Sequence, residues 1–312
     1  MRHFIDIADF SVVELENMLE LGIKLKAEQK SGVFRPLLKN KVLAMLFQKP
    51  SLRTRVSFDM AMRTLGGDAL YLSPQEVGLG TRESIADVSR VLSGYVQAIM
   101  ARVFDHEHIL ELAQWSSVPV INGLSDYNHP CQAMADAITI IEEFGELKGK
   151  TVSYIGDGNN VAISLMKIVT KLGGHYKIAN PEDYDMPDEA VTQSLGFAAD
   201  SGGSVSLFRK PEDAAEGADV LYTDTWTSMG QEEESSKREK VFPPYQINEK
   251  LIGYAKPSVI VLHCLPAYRG LEITDEVAEG PHSRMFPQAE NRLHAQKAIL
   301  VKLLFEGDPD VN

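Results

Sequence analysis

Short apolar runs recur along this chain, each bounded by charged or turn-forming residues, and between most of them lie stretches whose apolar positions fall at helical spacing. Val42-Leu43-Ala44-Met45-Leu46 has no polar residue alternating within it, which predicts a strand buried on both faces, and Phe47-Gln48-Lys49-Pro50 turns it into a loop. A helix through Phe58, Met60, Ala61 and Leu65 follows and stops at Gly66-Gly67, a pair suited to a C-terminal cap. Strand, loop and helix in that order form the unit of a parallel sheet, and residues 69–72, 98–103 and 118–122 supply its further strands. Upstream, Ser11-Val12-Val13-Glu14 is a capping box that opens an amphipathic packing helix through Leu15, Met18, Leu19 and Leu21.

A second series begins at Thr151-Val152-Ser153-Tyr154-Ile155, continues through Gly156-Asp157-Gly158-Asn159-Asn160, and runs into a helix through Leu165, Ile168 and Val169. Residues 176–179, 205–208, 220–224 and 259–263 are its other strands. A long helix beginning near Cys131 breaks at Phe144-Gly145-Glu146-Leu147-Lys148-Gly149, the natural linker, and a final apolar-periodic helix spans residues 289–305. The pattern therefore predicts an α/β protein of two lobes, each a parallel sheet flanked by helices, with the C-terminal helix packing back on the first lobe. The division falls at 1–147, completed by 289–312, and 148–288. Residues 231–240 are densely charged and read as a solvated loop.

Composition narrows the function. At 312 residues with 44% hydrophobic content the chain is long enough for two cores. A formal charge of -13 argues against a nucleic-acid surface or an anionic membrane, so any cluster of arginines becomes more telling. There is no uncharged apolar run of membrane-spanning length, and Met1-Arg2-His3-Phe4 opens neither a signal nor a transit segment, which points to a cytoplasmic protein. Two cysteines, Cys131 and Cys264, are too few for a disulfide framework and are read as reduced thiols.

Four polar constellations carry the chemistry. Ser51, Arg53, Thr54 and Arg55 sit where a strand ends and a helix begins, so backbone N–H groups, hydroxyls and guanidinium forks are available to one phosphate-like anion. His129 and Gln132 flank Pro130; with the proline in the first turn of a helix, both side chains project from its N-terminal end and suit the polarisation of a carbonyl oxygen. The run Asp224-Thr225-Trp226-Thr227-Ser228-Met229-Gly230-Gln231 reads as a substrate-reading loop, and His263-Cys264-Leu265-Pro266 presents a thiol that no packing argument demands.

These segments, together with Asn122-Gly123-Leu124-Ser125-Asp126 and Ala289-Glu290-Asn291-Arg292, resemble in order and spacing the signature segments of the aspartate/ornithine carbamoyltransferase family. The resemblance covers essentially the whole chain and implies a first domain that binds carbamoyl phosphate and a second that binds ornithine. It implies that carbamoyl phosphate is held by Ser51, Leu52, Arg53, Thr54, Arg102, His129, Gln132, Cys264, Leu265 and Arg292. It further implies ornithine contacts from Asn160, Asp224, Ser228 and Met229, with Asp224 pairing the α-ammonium. Arg82 matches a basic position that in relatives reaches a neighbouring subunit's site, so a homotrimer or a multiple of trimers is implied. The chain departs from the family at Leu52, where threonine is common, and at Gly78, where some members carry glutamine.

The activity implied is transfer of the carbamoyl group to the δ-amine of ornithine, giving citrulline and phosphate, without cofactor or metal. Such an amine resembles that of lysine, and holding it neutral at pH 7 costs about 4 to 5 kcal/mol. Cys264, a thiol able to form a thiolate near arginine, is the candidate to act on its proton, alone or with Asp224. Arg102 and His129 would stabilise the carbonyl oxygen and Arg53 the leaving phosphate. Carbamoyl phosphate is expected to bind before the acceptor. A dinucleotide-binding reading of Gly156-Asp157-Gly158-Asn159-Asn160-Val161 fails at its third glycine and lacks an acidic residue after the next strand. His106 and His108 are two histidines without further ligands.

Overall fold

The computed structural model describes residues 2–227 and 232–307. Two compact units emerge: Met1–Ala135 with Asn291–Asn312, and Asp136–Glu290. Both boundaries fall inside helices, Pro130–Phe144 and Met285–Leu304, and the terminal helix contributes most of its length to the first unit.

In the first unit, β1 (Val42–Phe47), β2 (Asp68–Leu72), β3 (Ala98–Arg102) and β4 (Val120–Leu124) form a parallel sheet in the order β2-β1-β3-β4. The strand core is apolar on both faces, as a helix-covered parallel sheet requires: Ala44, Leu46, Ile99, Ala101 and Val120 pack with Ile85, Val88, Ile109 and Leu112. The β4 edge is covered by Phe4, whose N–H donates to the Val120 carbonyl at 2.8 Å and whose carbonyl accepts from Asn122 N–H at 2.8 Å. The capping box at Ser11 and Glu14 closes the start of the helix Val12–Lys30.

In the second unit, β5 (Thr151–Ile155), β6 (His175–Ala179), β7 (Ser204–Phe208), β8 (Val220–Thr223) and β9 (Ile260–His263) form a parallel sheet in the order β7-β6-β5-β8-β9. Ile155, Ala179, Leu221, Val261, Trp226, Phe242 and Ile273 share one of its cores. Each order reverses direction once, between β1 and β3 in the first sheet and between β5 and β8 in the second. Chains leaving neighbouring strands at such a point diverge, and the crevice left at the carboxyl ends is where open parallel sheets bind ligands.

The charged run at 231–240 is not a solvated loop over its described length. Residues Glu232–Glu234 form a 3-10 turn and Ser235–Val241 an α-helix, because Arg238 is buried rather than solvated and anchors the segment. No helix among the described residues is long and apolar enough to cross a membrane.

Gly158 shows how tightly the loop after β5 is built. A Cβ there would lie 2.6 Å from backbone atoms of Asp185 and Met186, closer than real side chains approach. Gly158→Ala is expected to destabilise the protein by about 1–3 kcal/mol in urea unfolding. Gly196→Ala, where nothing lies within 4 Å of the added carbon in the helix Asp188–Ser201, should be neutral or stabilising.

Candidate active site

The first cluster stands at the β1/β3 reversal. Ser51 leaves β1 as the N-cap of the helix Leu52–Thr64, its hydroxyl accepting from the Thr54 N–H at 3.3 Å and donating to Thr54 Oγ1 at 3.1 Å. Thr54 is fully buried, and its hydroxyl oxygen also accepts from Arg292 Nη2 at 3.0 Å and lies 3.5 Å from Arg102 Nη1. Arg292 turns its other amino group to Gln132 Oε1 at 2.8 Å. Arg102 ends β3, where the register with β4 shifts, and Gly123 in that irregular stretch lies so close to β3 that an added Cβ would sit 2.5 Å from Met100 Sδ and require the methionine to shift.

His129 lies just before the helix Pro130–Phe144, and its carbonyl accepts from Gln132 and Ala133 N–H at 3.0 and 3.3 Å. The imidazole is buried, and its pKa is held well below the ordinary 6.5 by loss of solvent and then by the positive charges of Arg292, Arg102 and Arg53. Ser51, Arg53, Thr54, Arg102, His129, Gln132 and Arg292 are thus brought together around a strongly positive, largely buried point. Leu52 points outward, with 76% of its surface exposed, so the hydroxyl it replaces would not have faced Thr54. Arg55 stacks on the Tyr71 ring at 4.0 Å instead of joining the cluster, and Arg82 is exposed on the turn between Gly78 and Glu83.

The second cluster, within the second unit, stands at the β5/β8 reversal. Asp224, buried just beyond β8, accepts from its neighbour Thr225 N–H at 2.8 Å, from the Cys264 thiol at 2.9 Å and from Asn159 Nδ2 at 2.9 Å. Asn159 is the N-cap of the helix Asn160–Lys171; its Oδ1 accepts from Val161 and Ala162 N–H at 3.0 and 3.1 Å and from Tyr154 OH at 3.2 Å. Asn160 is half-buried in the first turn of that helix. Cys264 and Leu265 belong to this unit. A carboxylate, Asp224, is thus one neighbour of the Cys264 sulfur. Ser228 and Met229 lie outside the described residues.

His263, which ends β9, accepts from the Leu265 N–H through Nδ1 at 2.8 Å and faces Glu272 Oε1 through Nε2 at 3.0 Å; both His263 and Glu272 are buried. Asp224, His263 and Cys264 offer ligand atoms within 4.8 Å of one another, but both ring nitrogens of His263 are already engaged. The cluster is therefore better suited to fixing the thiol than to holding an ion. Cys131, by contrast, is fully buried in the first unit, donates to the Asn122 carbonyl at 3.3 Å, and has its pKa pushed up to about 12 by burial.

Two residues of this cluster were not legible in the sequence. Asn159 makes a bond to Asp224; the signal available was its place as the polar residue before an apolar helix. Arg238 donates to Asp157 Oδ2 at 2.5 Å, to the Trp226 carbonyl at 2.9 Å and to Glu234 at 3.1 Å, and lies 4.8 Å from the Tyr184 ring centroid. It ties the loop after β5 to the loop after β8, on either side of Asp224.

Buried arginines converging on a buried hydroxyl beside an imidazole and a helix N-terminus, and a thiol–carboxylate pair on a second parallel sheet, are the groups of an enzyme that handles a small anion and a polar acceptor. Residues 2–142 match the model of the aspartate/ornithine carbamoyltransferase carbamoyl-P binding domain, and residues 148–303 match that of the Asp/Orn binding domain. The chain belongs to the aspartate/ornithine carbamoyltransferase family. It is 52% identical over 303 residues to an ornithine carbamoyltransferase of Pyrococcus abyssi, covering 97% of this chain and 96% of that protein. It is likewise 52% identical over 285 residues to one of Bacillus subtilis, covering 91% and 89%. The solved structure of ornithine carbamoyltransferase from Pyrococcus furiosus superposes with a TM-score of 0.95 at 51% identity, covering 98% of both chains.

The site makes three checkable statements. His129 stays neutral in the folded protein below pH 6.5, where the unfolded chain takes up a proton, so it removes stability as pH falls below that value and has no effect above it. His129→Gln should flatten the acid limb of a urea-unfolding series by up to about 1.4 kcal/mol per pH unit. Iodoacetamide at about pH 8 should label Cys264 and spare Cys131, as read by peptide mass spectrometry. Arg238→Met leaves the Asp157 carboxylate buried without its charge partner and should cost about 3–5 kcal/mol of stability in unfolding experiments.

Proposed function

We propose that this chain transfers the carbamoyl group of carbamoyl phosphate to the δ-amino group of L-ornithine, giving L-citrulline and phosphate in arginine biosynthesis. The observation that carries the reading is the convergence of Arg102, Arg292 and Thr54 beside an imidazole whose pKa is lowered by burial first and then by the neighbouring positive charges. A site of that charge and donor set suits a small dianion.

In this reading the N–H groups of residues 51–54, with Arg53 and Arg292, hold the phosphate at the positive end of a helix. Arg102 and the N–H of neutral His129 bond the carbonyl oxygen and strengthen their hold as it gains negative charge in the tetrahedral transition state. Gln132, its oxygen bonded to Arg292, turns its amide NH2 away from that guanidinium and toward the carbamoyl group. Asp224 and Asn160, with Ser228 and Met229, read the amino-acid head of ornithine. Cys264 takes the proton of the attacking δ-amine while its own passes to Asp224, 2.9 Å away. Leu265 shapes the wall beside it.

The same reading places the enzyme in the cytoplasm as a homotrimer or a multiple of trimers, with Arg82 serving a neighbouring subunit's site. In support, Leu52, Val56 and Met60 stand four residues apart on one face of a helix and are 76, 49 and 41% exposed, an apolar stripe suited to a second copy.

The deciding experiment offers carbamoyl phosphate with ornithine, putrescine, N-acetylornithine or aspartate in turn. Turnover is expected with ornithine and to rise toward alkaline pH as the amine loses its proton; no turnover with ornithine overturns the proposal. Cys264→Ser should lower kcat by about 100-fold while carbamoyl phosphate binding is kept, and an unchanged kcat removes the thiol from the mechanism.

A further inference from the structure

β9 stands at the end of its sheet, so one edge of its backbone has no neighbouring strand. The segment after residue 280 substitutes for one. Val261 N–H donates to the His282 carbonyl at 2.8 Å, and the Val261 carbonyl accepts from Arg284 N–H at 2.9 Å. The next rung, at His263, comes from a side chain: His263 N–H donates to Gln288 Oε1 at 2.8 Å. Gln288 is buried, and its amide nitrogen donates to Asp136 Oδ1 at 2.7 Å and to Tyr222 OH at 3.1 Å.

We propose that Gln288 is a positioning residue for the Cys264 thiol. It fixes the last backbone rung before the chain leaves the strand, one residue ahead of the cysteine. The three bonds of its amide run to three different elements: β9, the helix Pro130–Phe144 and β8. An amide held on three sides cannot rotate, so it sets the direction in which the backbone departs and with it the 2.9 Å approach of Cys264 Sγ to Asp224. From the opposite side the His263 ring holds the Leu265 N–H, so the cysteine is clamped between a side-chain rung before it and a ring acceptor after it. Glutamine is suited to the post because one group must accept from a backbone N–H and donate to a carboxylate at once; a hydrocarbon does neither, and asparagine is one carbon too short.

This inference rests on the reading of Cys264 as part of the acceptor site, and the test separates the two. The second-order rate of iodoacetamide alkylation at Cys264 needs no substrate and is compared at fixed pH in the parent protein, Gln288→Leu and Gln288→Asn. Releasing the thiol from Asp224 is expected to speed alkylation by about tenfold in both variants, and in the ornithine assay to lower kcat by about 10- to 100-fold with the carbamoyl phosphate KM kept within about threefold. If the leucine variant fails to fold, the asparagine variant, which keeps the amide, decides. Alkylation and kcat both within about twofold of the parent would overturn the proposal. A parent protein that does not carbamoylate ornithine would sink the functional reading and leave the alkylation arm to judge Gln288.

Discussion

Gathering arginine side chains around one buried hydroxyl is the constraint from which the rest of this molecule follows. Arg292 and Arg102 are 3 and 7% exposed, and both approach Thr54 Oγ1. Like charges brought together out of water are unfavourable, and the pKa of His129 is lowered by its burial first and by these charges second. The same positive charge is what would draw a small anion to this cluster. A protein whose formal charge is -13 can keep such a positive spot only by local construction.

That construction uses one topological device twice. In each sheet the strand order reverses once, and the residues of interest project from the two strands that flank the reversal: Ser51 and Arg102 in one, Asn159 and Asp224 in the other. The sheets supply rigid ends, and the loops supply chemistry. Asp224 illustrates the economy of the result, since one carboxylate receives a backbone N–H, an amide and a thiol from three separate segments.

The strands were readable because short runs rich in apolar and β-branched residues between turn signals mark them; each of the nine lies within two residues of its expected place. Ser51 and Thr54 were readable for a similar reason, since a capping serine and its third neighbour interact locally. Asn159, Arg238 and Gln288 were not, because their roles depend on partners 65, 81 and 152 residues away. Arg238 was actively misleading: within a dense charged run it looks like one more solvated cation, and only the folded chain shows Asp157 and the Trp226 carbonyl beside it. Charge density on the sequence measures hydration only where no buried partner waits.

The anion pocket also has a position in time. Arg292 bonds Gln132 and Thr54 across 160 and 238 residues of chain, from a helix near the end of the sequence. A ribosome therefore delivers the hydroxyl, the imidazole and the amide long before the guanidinium that completes them. The entire second unit is synthesised in the interval, so it can fold while the first still lacks its terminal helix. A chain that stops short of that helix would carry the thiol–carboxylate pair of the second unit but not the guanidinium that bonds Thr54 and Gln132, so the first cluster is a late product of synthesis.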